Sequence, residues 1–353
     1  MRKYFHNPPV YPAVCLLAVL MVMLLILSGC GKNQELLFSG KTMGTTYHIK
    51  VVADSSLSRS KLAKKITALL NDVNQSMSTF IKESEISRFN SISSNRERLS
   101  VSTAFFEIVA VGMDLYKLTD GAWDGTVKPL VNLWGFGTDA KMPEIPTEKE
   151  IRELLRHIGF DKIQMDEEGR YLSKKDGAVT LDLASIAKGY GVDTISRMIR
   201  KSGIENFLVE IGGEVFASGL RMDGKPWRVG INKPRKDAGP SDVYTTLHLE
   251  NRALATSSDY RNFFDNENRR YSHILDPRTG YPVNNRVVSV SVIAGTCTAA
   301  DGLATAMMVM GPEKGLELTE RLQNVESLII VETEDGALRN FASKNFFSPE
   351  KNE

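Results

Sequence analysis

Leu181-Asp182-Leu183-Ala184-Ser185-Ile186-Ala187-Lys188-Gly189-Tyr190-Gly191 is the stretch around which the chain is organised. The residues leading into it, Ala178-Val179-Thr180-Leu181, form a short apolar run that ends at an acid and reads as a buried strand. Beyond it, Ile186, Ile195, Met198 and Ile199 share one helical face, and Gly203 is a fitting stop. A strand that becomes a helix at 182–185 points backbone N–H groups outward, where a phosphate can bind. Asp182 and Lys188 set one charge of each sign beside that turn. The plainer alternative is an ordinary strand–helix corner with a solvated lysine, and this stretch alone does not separate the two.

Working outward, Phe207-Leu208-Val209-Glu210-Ile211 reads as a buried strand closed by Gly212-Gly213. Strand, helix and strand in so short a span predict an α/β fold, α+β in character, with mixed sheets and crossover helices. The paired glycines would let backbone approach a ligand and help hold phosphates. Upstream, Leu62, Ile66, Leu69, Leu70, Val73 and Met77 recur at helical spacing, with Ser58 or Ser60 as a cap. Residues 85–90 read as a mixed loop. A further helix runs from Ser102 or Thr103 through Phe105, Val109 and Tyr116 to Asp120-Gly121. Trp123, Trp134 and Phe136 fall in a glycine-containing, helix-poor segment, 121–137. Such aromatics can line a flat ring-binding surface, although core packing is their commoner use.

Thr147 and Glu150 form a capping box for a helix over 148–157. Strands are predicted at 227–231, 245–249, 253–256 and 327–331, and helices at 296–310 and 316–322. Residues 287–292 alternate Val and Ser, which predicts a strand with one wet face. No internal repeat or long linker interrupts the pattern. Residues 41–345 are expected to form a single compact catalytic unit, or two subdomains of one.

The 353 residues carry a formal net charge of +1, with 42% hydrophobic and 25% charged residues, the ordinary globular range. That balance offers no basic face for nucleic acid. At the start, Arg2 and Lys3 precede an uncharged apolar run over 13–27, the layout of a secretory signal. An uncleaved membrane anchor is the alternative, but the run is short for a spanning helix. Leu27-Ser28-Gly29-Cys30 resembles a bacterial lipobox, so 1–29 is expected to be a lipoprotein signal peptide, Cys30 the acylated residue and 30–40 a lipidated tether. Cys15 would leave with the signal, and Cys297 would remain as a lone thiol with no disulfide partner.

Two features carry candidate chemistry. Asp301 and Thr305, four apart on a predicted helix, stack on one face. A carboxylate and a hydroxyl suit magnesium, which takes few protein carboxylates and completes its octahedron with water and substrate phosphate. The bland alternative is an acid favoured by a helix N-terminus, with Thr305 bonding its own backbone. No His/Cys cluster has zinc spacing. His273 lies in a Pro/Gly turn beside acids and an arginine, and histidine titrates near the pH a general base needs.

Taken together, Thr42-Met43-Gly44-Thr45, Met77-Ser78-Thr79-Phe80 with Ser87-Arg88-Phe89-Asn90, Leu181-Asp182-Leu183 through Lys188-Gly189-Tyr190, Gly212-Gly213, Ser272-His273 through Asp276-Pro277 with Thr279-Gly280, and Ala300-Asp301 through Thr305 occur in order. This pattern resembles the ApbE family of flavin transferases over nearly the whole mature chain. The resemblance implies a periplasmic, membrane-anchored lipoprotein that uses FAD as substrate and Mg²⁺ as cofactor. It implies transfer of FMN to a threonine or serine hydroxyl of a partner protein, such as a subunit of a membrane redox complex, with release of AMP. Carried over residue by residue, it assigns Met43, Phe80, Ala122, Trp123, Asp124, Asp182, Lys188 and Leu275 to FAD, and Ser185 (through its carbonyl), Asp301 and Thr305 to the metal. Ala304 stands where some relatives carry a second aspartate, so only two side-chain metal ligands carry over. His273 is the first candidate for the general base and Asp182 the second. Two other functions fit the same residues: an FAD pyrophosphatase giving FMN and AMP, and a non-catalytic flavin-binding lipoprotein.

Overall fold

Alternation builds the first hairpin. Leu36 and Phe38 are buried while Glu35, Leu37 and Ser39 are exposed, so one face of the strand must lie against a core. The computed structural model describes residues 33–136, 145–235, 237–239, 242–259, 263–266 and 269–347. In it, β1 (Asn33–Thr42) pairs with β2 (Thr45–Asp54) across a turn in which Met43 and Gly44 both take positive φ. From Asn33 onward, the expected tether is therefore an edge strand. The signal peptide and Cys30 lie outside the described residues.

Along the chain follow α1 (Arg59–Met77), α2 (Glu85–Ser91), β3 (Leu99–Ser100), α3 (Thr103–Leu118), α4 (Lys128–Leu133) and α5 (Glu148–Leu155). A 3₁₀ turn (Phe160–Lys162) leads to β4 (Ile163–Asp166), β5 (Tyr171–Lys174) and α6 (Ala184–Lys201). Then come β6 (Asn206–Ile211), β7 (Glu214–Ser218), β8 (Trp227–Asn232), β9 (Val243–Leu249) and β10 (Arg252–Ser258). The chain closes with β11 (Phe263–Asn266), β12 (Arg269–Ser272), β13 (Val287–Ala294), α7 (Cys297–Met310), α8 (Pro312–Arg321), β14 (Glu326–Glu332) and β15 (Leu338–Ala342).

The fold is α/β, as expected, but its sheets are antiparallel rather than mixed. Its main sheet has the order β1-β2-β6-β7-β10-β13-β14-β15, with antiparallel neighbours throughout. The inner face is covered by helices: Ile49, Phe207, Val209, Val290 and Val292 join Ile66, Leu70, Ile186, Ile195, Leu303 and Met307 in one core. On the outer face the β8–β9 hairpin lays Trp227, Val229, Ile231, Leu247 and Leu249 onto Val215, Leu254, Ile293, Leu328 and Ile330. Covered twice, β13 has no wet face. Ser289 and Ser291 are buried, and Ser291 Oγ meets Thr256 Oγ1 at 2.8 Å, which satisfies a hydroxyl that water would otherwise serve.

Three further expectations change. Residues 178–183 form no strand, although Val179, Leu181 and Leu183 alternate into the core. The Asn90 side chain takes the place of a neighbouring strand: its Oδ1 accepts from Leu181 N–H (2.7 Å) and its Nδ2 donates to Leu181 C=O (2.8 Å). The expected loop at 85–90 is α2, whose Ser84 cap accepts from Ser87 N–H and whose Ile86 and Phe89 are fully buried. Within 121–137, Trp123 and Trp134 are each 1% exposed. They are core residues rather than an open ring-binding surface, and Trp134 Nε1 donates to Gly280 C=O at 2.8 Å.

Candidate active site

Helices α6 and α7 cross where side chains are smallest. A Cβ on Gly189 would sit 2.5 Å from the Cys297 carbonyl oxygen, so only glycine allows the approach. Asp193 on α6 fixes the crossing, since its carboxylate accepts from Cys297 N–H (2.8 Å), Thr298 N–H (2.9 Å) and Thr298 Oγ1 (2.6 Å). These are the orphan donors at the start of α7. The crossing aims Asp301, Thr305 and Val309, successive positions on one face of α7, into a cavity of about 410 Å³.

That cavity gathers most of the residues the sequence singled out. Ala122, Trp123, Asp124, Asp182, Ser185, Lys188, His273, Leu275, Asp301 and Thr305 all line it. Met43 and Phe80 do not. Met43 packs beside Gly191, and Phe80 is 81% exposed. The Gly212-Gly213 backbone is also turned to other work: Gly212 N–H donates to Thr46 C=O (3.0 Å) and Gly213 N–H to Glu210 Oε1 (2.8 Å). With φ of 64° and 105° the pair forms the tight β6–β7 turn that glycine permits, and its N–H groups are bonded within the protein rather than free for the phosphates expected there.

Two buried carboxyls and a half-buried lysine form the centre. Lys188 Nζ lies 2.9 Å from Glu214 Oε1 and 3.8 Å from Asp301 Oδ2. Burial works against the Lys188 ammonium, yet Asp301 and Glu214 together hold its pKa well above the ordinary lysine value. Burial lifts both carboxyls, Glu214 to about 8 with Asp301 adding repulsion, and Asp301 to about 6 despite the pull of Lys188. Glu214 Oε2 is buried with no hydrogen-bond partner. Asp301 Oδ2 accepts from Gly189 N–H at 3.1 Å, the group that serves the Ser185 carbonyl in a regular helix. Among the described residues no cluster of three or more His, Cys, Asp or Glu stands at metal-binding spacing. The donors here are instead carboxylate, hydroxyl and carbonyl oxygens, the set magnesium takes.

Around this centre the walls are ordered by hydrogen bonds. Trp123 Nε1 donates to Ser185 Oγ at 3.0 Å, and Thr305 Oγ1 meets Ser257 Oγ at 3.2 Å. Asp124 Oδ1 accepts from Thr126 N–H and Oγ1, while burial raises its pKa to about 6. His273 Nδ1 contacts Asp259 Oδ1 at 2.7 Å, a contact that orients the imidazole ring. Asp182 is engaged differently: Oδ1 accepts from Ala184 N–H (3.0 Å) and Oδ2 pairs with Lys128 (3.1 Å).

Glu214, Asp259 and Asp193 escaped the sequence reading. For Glu214 a signal exists: an acid directly before Val215-Phe216-Ala217, a run that is buried throughout. An acid at the head of such a strand needs a partner.

A family model described as the ApbE family matches residues 43–329. The chain is 46% identical over 330 residues to the FAD:protein FMN transferase of Vibrio cholerae serotype O1, covering 93% of this chain and 97% of that protein. It is 40% identical over 330 residues to the protein of the same name from Haemophilus influenzae, covering 92% and 95%. Its fold is similar to that of the flavin transferase ApbE from Vibrio cholerae, with a TM-score of 0.79 and 44% identity over 89% of this chain and 98% of the other. Motif order, fold and extent of match agree, and the chain belongs to the ApbE family.

Proposed function

We propose that this chain is an FAD:protein FMN transferase that moves FMN from FAD to a threonine or serine hydroxyl of a partner protein and releases AMP. The observation that carries this is the Lys188–Glu214–Asp301 cluster with its two buried carboxyls. It has two carboxyls, one ammonium and an unpartnered Glu214 oxygen, and all three residues line a cavity large enough for part of a dinucleotide. Left without a further cation, such a group resists full ionisation.

Asp301, Thr305 and the Ser185 carbonyl would hold Mg²⁺, with Glu214 supplying the oxygen that Ala304 does not. When bound, the ion supplies charge neutralisation at the diphosphate and at the departing AMP. The chain's own groups do the remaining work. His273, held by Asp259, takes the proton of the acceptor hydroxyl as its oxygen attacks the FMN phosphorus. The new oxygen–phosphorus bond forms in line as the bond to AMP breaks. Asp182 is committed to the start of α6 and to Lys128, which favours His273 as the base. Ala122, Trp123, Asp124, Asp182, Lys188 and Leu275 contact FAD in this scheme. Met43 and Phe80 lie outside the cavity and would reach only an extended part of the ligand.

The acceptor belongs to a membrane redox complex in this proposal. The enzyme stands on the periplasmic side, tethered through lipid on Cys30, on the strength of the lipobox and leader. Incubating the full chain with FAD, Mg²⁺ and a candidate acceptor, and weighing the intact products, tests the function. A covalent FMN adduct with released AMP is expected. AMP and free FMN without an adduct would make the chain a pyrophosphatase, and unchanged FAD would leave it a flavin carrier.

A further inference from the structure

A cleft of about 830 Å³ crosses the outer face of the main sheet, on the side away from the helices. Its floor runs from Glu35 and Lys50 over Leu208 and Val215 to Thr256 and Ser258. Thr256 and Ser258 also line the candidate active-site cavity, so the two spaces adjoin. One wall is β8, all six of whose residues, Trp227–Asn232, line the cleft. Consecutive residues of a strand alternate between its two faces, so a cleft that meets all of them runs along the strand's edge. β8 pairs only with β9 in a two-stranded sheet; the Trp227 side chain donates to Ser218 C=O at 2.9 Å, but among the described residues no backbone group outside β9 bonds to the β8 backbone.

An unpaired strand edge offers a row of N–H and C=O groups to an extended peptide. This one is about 20 Å long at ~3.3 Å per residue, and it leads toward the proposed reaction centre. We propose that the outer cleft is the acceptor site: an extended segment of the protein to be flavinylated adds to the free edge of β8, and its hydroxyl residue enters the cavity past Thr256 and Ser258. The inference rests on the transferase reading and deepens it. Main-chain pairing would hold acceptors of differing side chains in one register, and the floor residues would sort among them. It also separates the two substrates, with flavin on the helix face of the sheet and protein on the other.

The test uses the full chain loaded with FAD and Mg²⁺, and as probe the protein that carries covalent FMN in the host, isolated by flavin fluorescence and produced unmodified. Hydrogen exchange of the Trp227–Asn232 amides is expected to slow when this acceptor is added. Leu208→Trp, which raises the floor, is expected to increase the acceptor KM about tenfold or more, worth ~1.4 kcal/mol of binding, with FAD affinity unchanged. Should Leu208→Trp unsettle the hairpin, Lys50→Trp at the exposed residue paired in register with Leu208 makes the same obstruction. Unchanged amide exchange, or a wild-type acceptor KM in a folded variant, overturns the site while the transferase stands. If the unaltered enzyme binds FAD but forms no adduct on this acceptor, the transferase reading falls and takes the cleft proposal with it.

Discussion

Two lysines are pulled from water in this protein, and their surroundings differ in kind. Lys174, on β5, is fully buried. Its ammonium donates to Ile92 C=O (2.8 Å) and Asn90 C=O (3.3 Å) and lies 5.0 Å from the centre of the Phe89 ring. Its partners are neutral, and burial pushes its pKa down to about 8. Lys188 instead faces two carboxyls, which hold its charge while repelling each other. The first arrangement is closed, because neutral acceptors and a ring face satisfy one cation. The second leaves a buried carboxylate oxygen unpartnered on a residue that lines the cavity, the arrangement expected where a further cation belongs.

Asp301→Ala strikes that contrast hardest. Transfer measured by adduct formation is expected to fall about 10³-fold, the scale of losing a group that positions stabilising charge. The metal-free protein should melt no lower than wild type, because a strained buried carboxyl has gone. His273→Asn should slow transfer on the order of 10²-fold with flavin affinity retained, as fluorescence quenching would report. Loss of flavin binding instead would make His273 part of the binding wall.

Glu214→Gln sharpens the comparison through pH. Because the folded pKa of Glu214 is raised from 4.5 to about 8, the folded protein keeps a proton that the unfolded chain has lost. The associated stability is full below 4.5 and is lost as pH rises through 8. The substitution should flatten that slope in the metal-free protein, read from urea midpoints, and weaken Mg²⁺ binding about tenfold. Lys174→Met gives the smallest effect and the opposite sign. With a folded pKa of about 8 against an ordinary 10.5, the lysine's contribution is full above 10.5 and is lost as pH falls through 8. The methionine variant should lack this slope and stay within about 1 kcal/mol of wild type near neutrality, where lost hydrogen bonds offset a lost desolvation cost.

What the sequence disclosed was local. Asp301 and Thr305 share a helix face, Thr147 and Glu150 form their capping box, and 182–188 do open a helix at the cavity. What it withheld was long-range. Asn90 stands in for a strand beside Leu181, Asp193 anchors a helix more than a hundred positions downstream, and Asp259 fixes His273. None of these has a spacing rule. The Val/Ser alternation of β13 suggested water on one face, and only the packing of a separate hairpin shows that the face is dry. Likewise, Gly212-Gly213 has the composition of a phosphate loop, but its N–H groups are used within the β6–β7 turn.

The most direct measurement is the Mg²⁺ dependence of FMN transfer to an acceptor protein, followed by intact mass with and without excess EDTA. A divalent cation seated at Asp301, Thr305 and Glu214 predicts an adduct that appears only with free metal and disappears in EDTA. Adduct formation at full rate in EDTA would contradict it.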